Sequence, residues 1–126
     1  MENYFDTTLT DDQLRALAAA GGVAQVTLYE GFLHDDADGR QATIDDAVRH
    51  LLHMVEVAGI DHVGIGTDFD GDGGVPGLAS TSELPNFTRR LLEEGFTEQD
   101  LEKVWGRNFL RVMALYHEQR KMHLHL

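Results

Sequence analysis

The chain has 126 residues, 22 acidic against 10 basic side chains, a formal charge of −12 and no cysteine. Its length is that of one ordinary domain, about half of a typical ~250-residue α/β barrel, and its charge repels both a phosphate backbone and an anionic membrane face. Nucleic acid is therefore not an expected partner, and the missing thiols exclude disulfides, thiolate metal sites and a cysteine nucleophile.

Helix and strand alternate along the chain. Thr10-Asp11-Asp12-Gln13 has the form of a capping box, Leu14, Leu17 and Ala18 form a helical stripe, and Gly21-Gly22 can end the helix, which places it at about residues 11–20. Residues 23–29 read as a strand, with Val23, Gln25, Thr27 and Tyr29 on one side and Ala24, Val26 and Leu28 on the other. An acidic, turn-rich segment over 30–41 follows. Thr43-Ile44-Asp45-Asp46 then caps a second helix whose Ile44, Val48, Leu51, Leu52 and Val55 share one apolar side until Gly59.

The run Asp61-His62-Val63-Gly64-Ile65-Gly66-Thr67-Asp68-Phe69-Asp70-Gly71-Asp72-Gly73-Gly74 is the most informative in the chain. A short strand of β-branched residues and glycines, suited to a crowded and buried position, delivers carboxylates to a loop. Catalytic groups of βα units gather beyond the carboxyl ends of parallel strands, and Asp68 stands at that point. Residues 75–82 read as loop, and a helix is expected from about Pro85 to Glu94 with Gly95 ending it. Thr97-Glu98-Gln99-Asp100 caps a short helix to Trp105, Gly106 breaks it, and Asn108 caps a last helix to about Gln119, beyond which the tail frays.

This order implies an α/β fold with two parallel strands joined by a right-handed crossover, plus about five helices. Two strands make a poor sheet, because a parallel pair buried on both faces needs further strands beside it. Residues 1–126, which show no repeat, linker or internal boundary, are thus expected to be a single sector of a larger barrel completed by other strands. No run approaches the ~20 apolar residues of a membrane span. Met1-Glu2-Asn3-Tyr4 lacks the basic and apolar regions of a signal peptide, so the expected location is cytoplasmic.

The run 59–71 closely resembles the last-strand signature of the membrane (renal) dipeptidase family, zinc metallopeptidases on a TIM-like barrel. Leu9-Thr10-Asp11-Asp12-Gln13-Leu14, Gly21-Gly22-Val23, Ser82-Glu83-Leu84-Pro85-Asn86-Phe87-Thr88 and Trp105-Gly106-Arg107-Asn108-Phe109-Leu110-Arg111-Val112 resemble the same family in the same order. Several spaced blocks over about residues 9–113 are far more specific than one short motif. The resemblance implies a partial TIM-like (β/α) barrel bearing the seventh and eighth strands, and hydrolysis of a dipeptide by the complete enzyme. It also implies two zinc ions whose ligands all lie upstream of the matched part, so that this chain alone is expected to bind no zinc tightly and to be inactive. Asp68 corresponds to the family's strand-eight aspartate, which contacts the substrate amine or the bridging water and shuttles a proton. The family's Arg-Asn pair, whose Arg grips the substrate carboxylate, is replaced here by Thr7-Thr8.

Each of these residues also has an ordinary structural explanation. Asp68 could cap a turn, and the resemblance moves it toward catalysis; Asp70 and Asp72 are expected to bond backbone. His62 opens the strand at the stability end of a barrel and reads as structural. His50 and His53, three apart on one helix, lack a third ligand by spacing and are expected on a solvated face, while His123 and His125 fall in the tail. Tyr29 and Phe32 follow the earlier strand and are expected to line the substrate pocket.

Two other readings remain open at the level of sequence. Asp68-x-Asp70-x-Asp72-Gly73 reproduces the opening of a calcium-binding loop, but the twelfth position is Ala79 instead of Glu and the preceding element is a strand. The chain could also be a truncated non-catalytic remnant, or a sector that docks to an upstream barrel partner or to copies of itself.

Overall fold

A computed structural model describes residues 9–28, 43–67, 69 and 73–124, with side chains as far as Lys121. The first helix, α1 (Asp11–Ala19), starts at a closed capping box: Thr10 Oγ1 accepts from the Gln13 N–H at 3.2 Å, and Gln13 Oε1 accepts from the Thr10 N–H at 2.9 Å. Gly21, at φ 83°, turns the chain into β1 (Ala24–Thr27). Helix α2 (Ile44–Ala58) begins where the Thr43 N–H donates to Asp46 Oδ2 at 2.8 Å, and Gly59, at φ 93°, ends it. A single 3₁₀ turn (Ile60–His62) leads into β2 (Val63–Thr67).

The two strands pair in parallel, Ala24 opposite Val63, Gln25 opposite Gly64 and Val26 opposite Ile65. The first is shorter than the run over residues 23–29 that announced it, and the second covers the β-branched and glycine run Val63–Thr67 as expected. One face of the pair, Ala24, Val26, Leu28, Val63 and Ile65, is buried under Val48, Leu51 and Met54 of α2, with Phe87 and Leu91 of α3 (Leu84–Glu93) in the same core. The other face carries Gln25, whose side chain lies over Gly64 and Gly66; a Cβ on either glycine would come within 3.2 or 3.1 Å of it. Small residues on β2 thus make room for one long polar side chain on β1. The expected alternation of residues 23–29 holds where the strand is described.

Residues 75–82, read from sequence as loop, contribute to the core: Val75 and Leu78 close a tight turn around Gly77 and are 3% and 0% exposed. Helix α4 (Glu98–Glu102) opens with a capping box at Thr97. Here the structure departs from the sequence expectation. The chain does not break at Gly106. Lys103–Arg107 form a π-turn in which the Asn108 N–H reaches back to the Lys103 carbonyl, and the helix continues as α5 (Asn108–Leu124). Asn108 is accordingly no N-cap. Its side chain is 1% exposed and donates to the carbonyls of Ile60 at 2.7 Å and Val63 at 2.8 Å, so it is committed to the entry of β2. Helix continues to Leu124, past the end expected near Gln119. Trp105, carried inward by the π-turn, meets Phe87 edge-on at 6.3 Å and donates to Thr88 Oγ1 at 2.9 Å. Among the described residues no helix is long and apolar enough to cross a membrane.

Candidate active site

The carboxyl ends of the two strands meet at Leu28 and Thr67. Leu28, wholly buried, uses both backbone groups there: its N–H donates to the Thr67 carbonyl at 3.0 Å, and its carbonyl accepts from the Gly74 N–H at 2.8 Å. The residues flanking the acidic segment, Thr67 and Gly74, are thereby both tied to Leu28, the residue directly after β1. The pairing slips immediately before this point. Thr27 lies opposite Thr67 instead of Gly66, so Gly66 and Thr67 together face one residue of β1, a β-bulge at the exit of β2. Thr67 itself has φ 41° and Gly74 has φ 128°. Thr67 is the one non-glycine residue with positive φ among those described, and sequence reasoning did not single it out. Asp68, Tyr29 and Phe32, the residues the sequence marks for catalysis and substrate contact, lie outside the described residues, as do Asp70 and Asp72.

The run is entered from β2, a strand, where a calcium-binding EF-hand loop would be entered from a helix. The Ala79 N–H, at the loop's twelfth position, bonds Glu83 Oε1 at 3.0 Å.

His62 stands at the opposite end of β2, with Nδ1 2.9 Å from the Gly22 carbonyl, and ties the entries of the two strands together. His50 and His53 are not on a solvated face. His53 Nε2 lies 2.7 Å from Asp11 Oδ1, a carboxylate brought from α1 across 42 positions, which spacing along α2 could not reveal. That contact, above all its hydrogen bond, holds the Asp11 carboxyl below its ordinary range. His50 is half-buried one turn away; desolvation first, and the neighbouring His53 second, push its pKa down to about 4. His50 also lines a cavity of about 380 Å³ with Leu14, Leu17, Gln25, Thr27 and Met54. This cavity runs the length of β1, from Val23 to Thr27, the residue opposite Thr67, and its lining is mostly apolar. It has the character of an unfilled packing face. Among the described residues no three His, Asp or Glu side chains come together to hold a metal ion.

Residues 4–124 match the family model for membrane dipeptidase, peptidase family M19. An uncharacterized dipeptidase of Schizosaccharomyces pombe is 41% identical over 109 residues, which are 85% of this chain and 26% of the yeast protein. The crystal structure of the probable dipeptidase PvdM from Pseudomonas aeruginosa superposes with a TM-score of 0.79 at 25% identity, over 87% of this chain and 41% of that one. A metallopeptidase from Rhodobacter sphaeroides, solved with a phosphinate mimic of the dipeptide L-Ala-D-Ala, superposes with a TM-score of 0.73 at 31% identity, over 81% of this chain and 29% of that one. The chain therefore spans between about a quarter and two-fifths of the relatives it matches. With the family matched from end to end of the fold, and the parallel strands ending in the family's acidic run, the chain belongs to the membrane dipeptidase family, M19.

Proposed function

We propose that this chain is the C-terminal sector of a TIM-like dipeptidase barrel, and that the complete assembly hydrolyses dipeptides with Asp68 as its acid–base residue. The observation that carries this reading is the parallel pair β1–β2, which ends in a bulge at Thr67 directly before Asp68. An acid–base carboxylate at that end of a parallel sheet stands where βα units bind substrate, and such a group typically contributes about 10²–10⁴ in rate. Tyr29 and Phe32 leave β1 at the same end and are assigned to the wall of the substrate pocket.

The family implies a metal cofactor, zinc in its complete members, and the described residues do not fit one. The His53–Asp11 pair joins two helices on the outside of the sheet, and no third ligand joins it. Metal binding is accordingly assigned to the sector that completes the barrel, together with the substrate-carboxylate contact for which Thr7 has no cationic group. This chain supplies the proton-transfer group and its support. The unfilled edge of β1 and the exposed apolar side chains Phe109, Leu110, Met113 and Tyr116 on α5 are the faces that such a sector would cover.

The test is dipeptide hydrolysis in the presence of zinc, by the chain alone and by the chain fused behind the upstream portion of the R. sphaeroides metallopeptidase. Turnover is expected from the fusion alone, and Asp68→Asn should lower its kcat by about 10²–10⁴. Zinc-dependent turnover by the isolated chain, or fusion activity indifferent to Asp68→Asn, would overturn the assignment.

A further inference from the structure

We propose that α5 is an arm by which this chain, on its own, docks onto a second copy of itself, seating Met113 and Tyr116 in the cavity beside β1. The contact stands apart from the dipeptidase reading. Helix α5 is held to the rest of the molecule at its start, where Asn108 is buried and Arg111 and Val112 are half-buried. From Met113 to Lys121 every residue is exposed, so that, among the described residues, every side of the helix is open. A stretch this short is marginal as an isolated helix, and it shows Met113, Leu115 and Tyr116 to solvent, with Met113 and Leu115 on opposite sides. Such a helix takes its stability from a surface laid against it.

Charge selects that surface. Lys103, Arg107, Arg111, Arg120 and Lys121 are half of the chain's 10 basic residues, whereas of its 22 acidic residues Glu118 alone lies beyond Glu102. Two α5 helices side by side would set Arg120 and Lys121 against their own like, while the remainder of a second copy holds all the other acids. At physiological salt the Debye length is about 8 Å, so the overall −12 of each copy is largely screened and the charges at the contact decide. The apolar seat is the cavity of about 380 Å³ along β1, whose lining includes Leu9, Leu14, Leu17 and Met54. Its wall α1 opens with Asp11 and Asp12, and the Asp12 side chain is 95% exposed although Arg15 bonds it. Met113, Tyr116 and Arg120 share one side of α5, at i, i+3 and i+7, so two apolar anchors enter the cavity and a cation follows them toward the acidic end of α1. The two contacting faces are different, which makes the contact heterologous.

The chain has no cysteine, so single cysteines placed in the full chain report the contact directly. Met113 and Leu9 are both exposed, Leu9 in the lining of the cavity, and replacing either leaves the buried core in place. In an equal mixture of Met113→Cys and Leu9→Cys chains under mild oxidation, a mixed disulfide should form, because the docked arm brings the two Cα atoms within the roughly 7 Å that the bond requires. Its rate, corrected for the reactivity of each thiol with glutathione disulfide, should exceed by at least about tenfold the rate with Gln99→Cys, on the exposed surface of α4, as the partner. Adding Arg120→Glu and Lys121→Glu to the Met113→Cys chain should slow the mixed disulfide by at least about tenfold, since acids at that end of the arm would meet acids. Tyr116→Ala, which changes no charge, should slow it as well. Met113→Cys chains that link to one another as fast as to Leu9→Cys would show α5 paired with α5 and overturn the proposal. A rate no higher than with Gln99→Cys, or one indifferent to the charge reversal, would overturn it equally. Every readout is taken on the chain alone and without activity, so an inactive fusion would count against the dipeptidase reading and leave this test intact.

Discussion

Asn108, buried, and His50, half-buried, show how much single polar groups govern this chain. Asn108 donates to two carbonyls at the entry of β2, and truncation would leave both acceptors buried without a donor. Asn108→Ala should cost about 2–3 kcal/mol in urea unfolding, and Asn108→Asp should be no milder, because a carboxylate cannot donate to a carbonyl. For His50 the folded state disfavours the proton, so the unfolded chain binds more protons between the ordinary histidine value of 6.5 and the folded value of about 4. Stability is full above pH 6.5 and should fall as the pH drops toward 4, by about 3 kcal/mol at most. His50→Leu should flatten that part of the curve, as measured by urea unfolding at a series of pH values. Asp11, whose carboxyl is lowered by His53, acts in a separate window: its contribution is present above the ordinary value of 3.8 and is lost as pH falls through the lower folded value.

At the scale of elements, the threonines at positions 10, 43 and 97 and the glycines at 21, 59 and 95 mark helix ends in sequence because caps and left-handed turns are local chemistry. The parallel pair was legible too, from two apolar runs separated by a helix long enough to cross between them. The π-turn was not. Gly106 reads as a breaker, yet its backbone stays outside the left-handed region and a Cβ there would meet nothing within 4 Å. Gly106→Ala should therefore be neutral or stabilising, by up to about 1 kcal/mol, through the lost freedom of the unfolded chain. Gly74→Ala should cost about 1–3 kcal/mol, since its φ of 128° suits glycine and its Cβ would lie 3.2 Å from the Ala79 backbone. Thermal unfolding of the two variants side by side gives the comparison. The real duty of Asn108 was hidden for a related reason: its partners lie 48 and 45 positions away, and no local pattern encodes them. Nor does any sequence signature announce a threonine in a left-handed turn. The acidic run marked Asp68 in the sequence, and that residue lies outside those described, whereas the left-handed backbone of Thr67 beside it was not legible.

Among the described residues, one face of the sheet is packed against α2 and α3, and the other meets the π-turn at Gly64 while Gln25 stays exposed. The described strands form a two-stranded sheet, each strand with one neighbour, and α5 exposes Phe109 at 45%, Leu110 at 61%, Met113 at 52% and Tyr116 at 62%. Apolar surface of this kind beside strand edges invites association. The purified chain should self-associate or bind a hydrophobic dye, and fusion to the upstream sector should abolish the dye signal; analytical ultracentrifugation with dye titration measures both. A monodisperse monomer without dye binding would show that the open faces need no cover.

The link from Asn108 to Val63 also dictates an order of events at the ribosome. Synthesis proceeds from the N-terminus, so β2 leaves the tunnel before the side chain that anchors its entry has been made. The interval of 45 residues amounts to roughly 2–9 s at about 5–20 residues per second. Throughout that interval the nascent strand has the Gly22–His62 contact at its entry but not its amide clip, and it stands exposed to whatever chaperone waits at the exit.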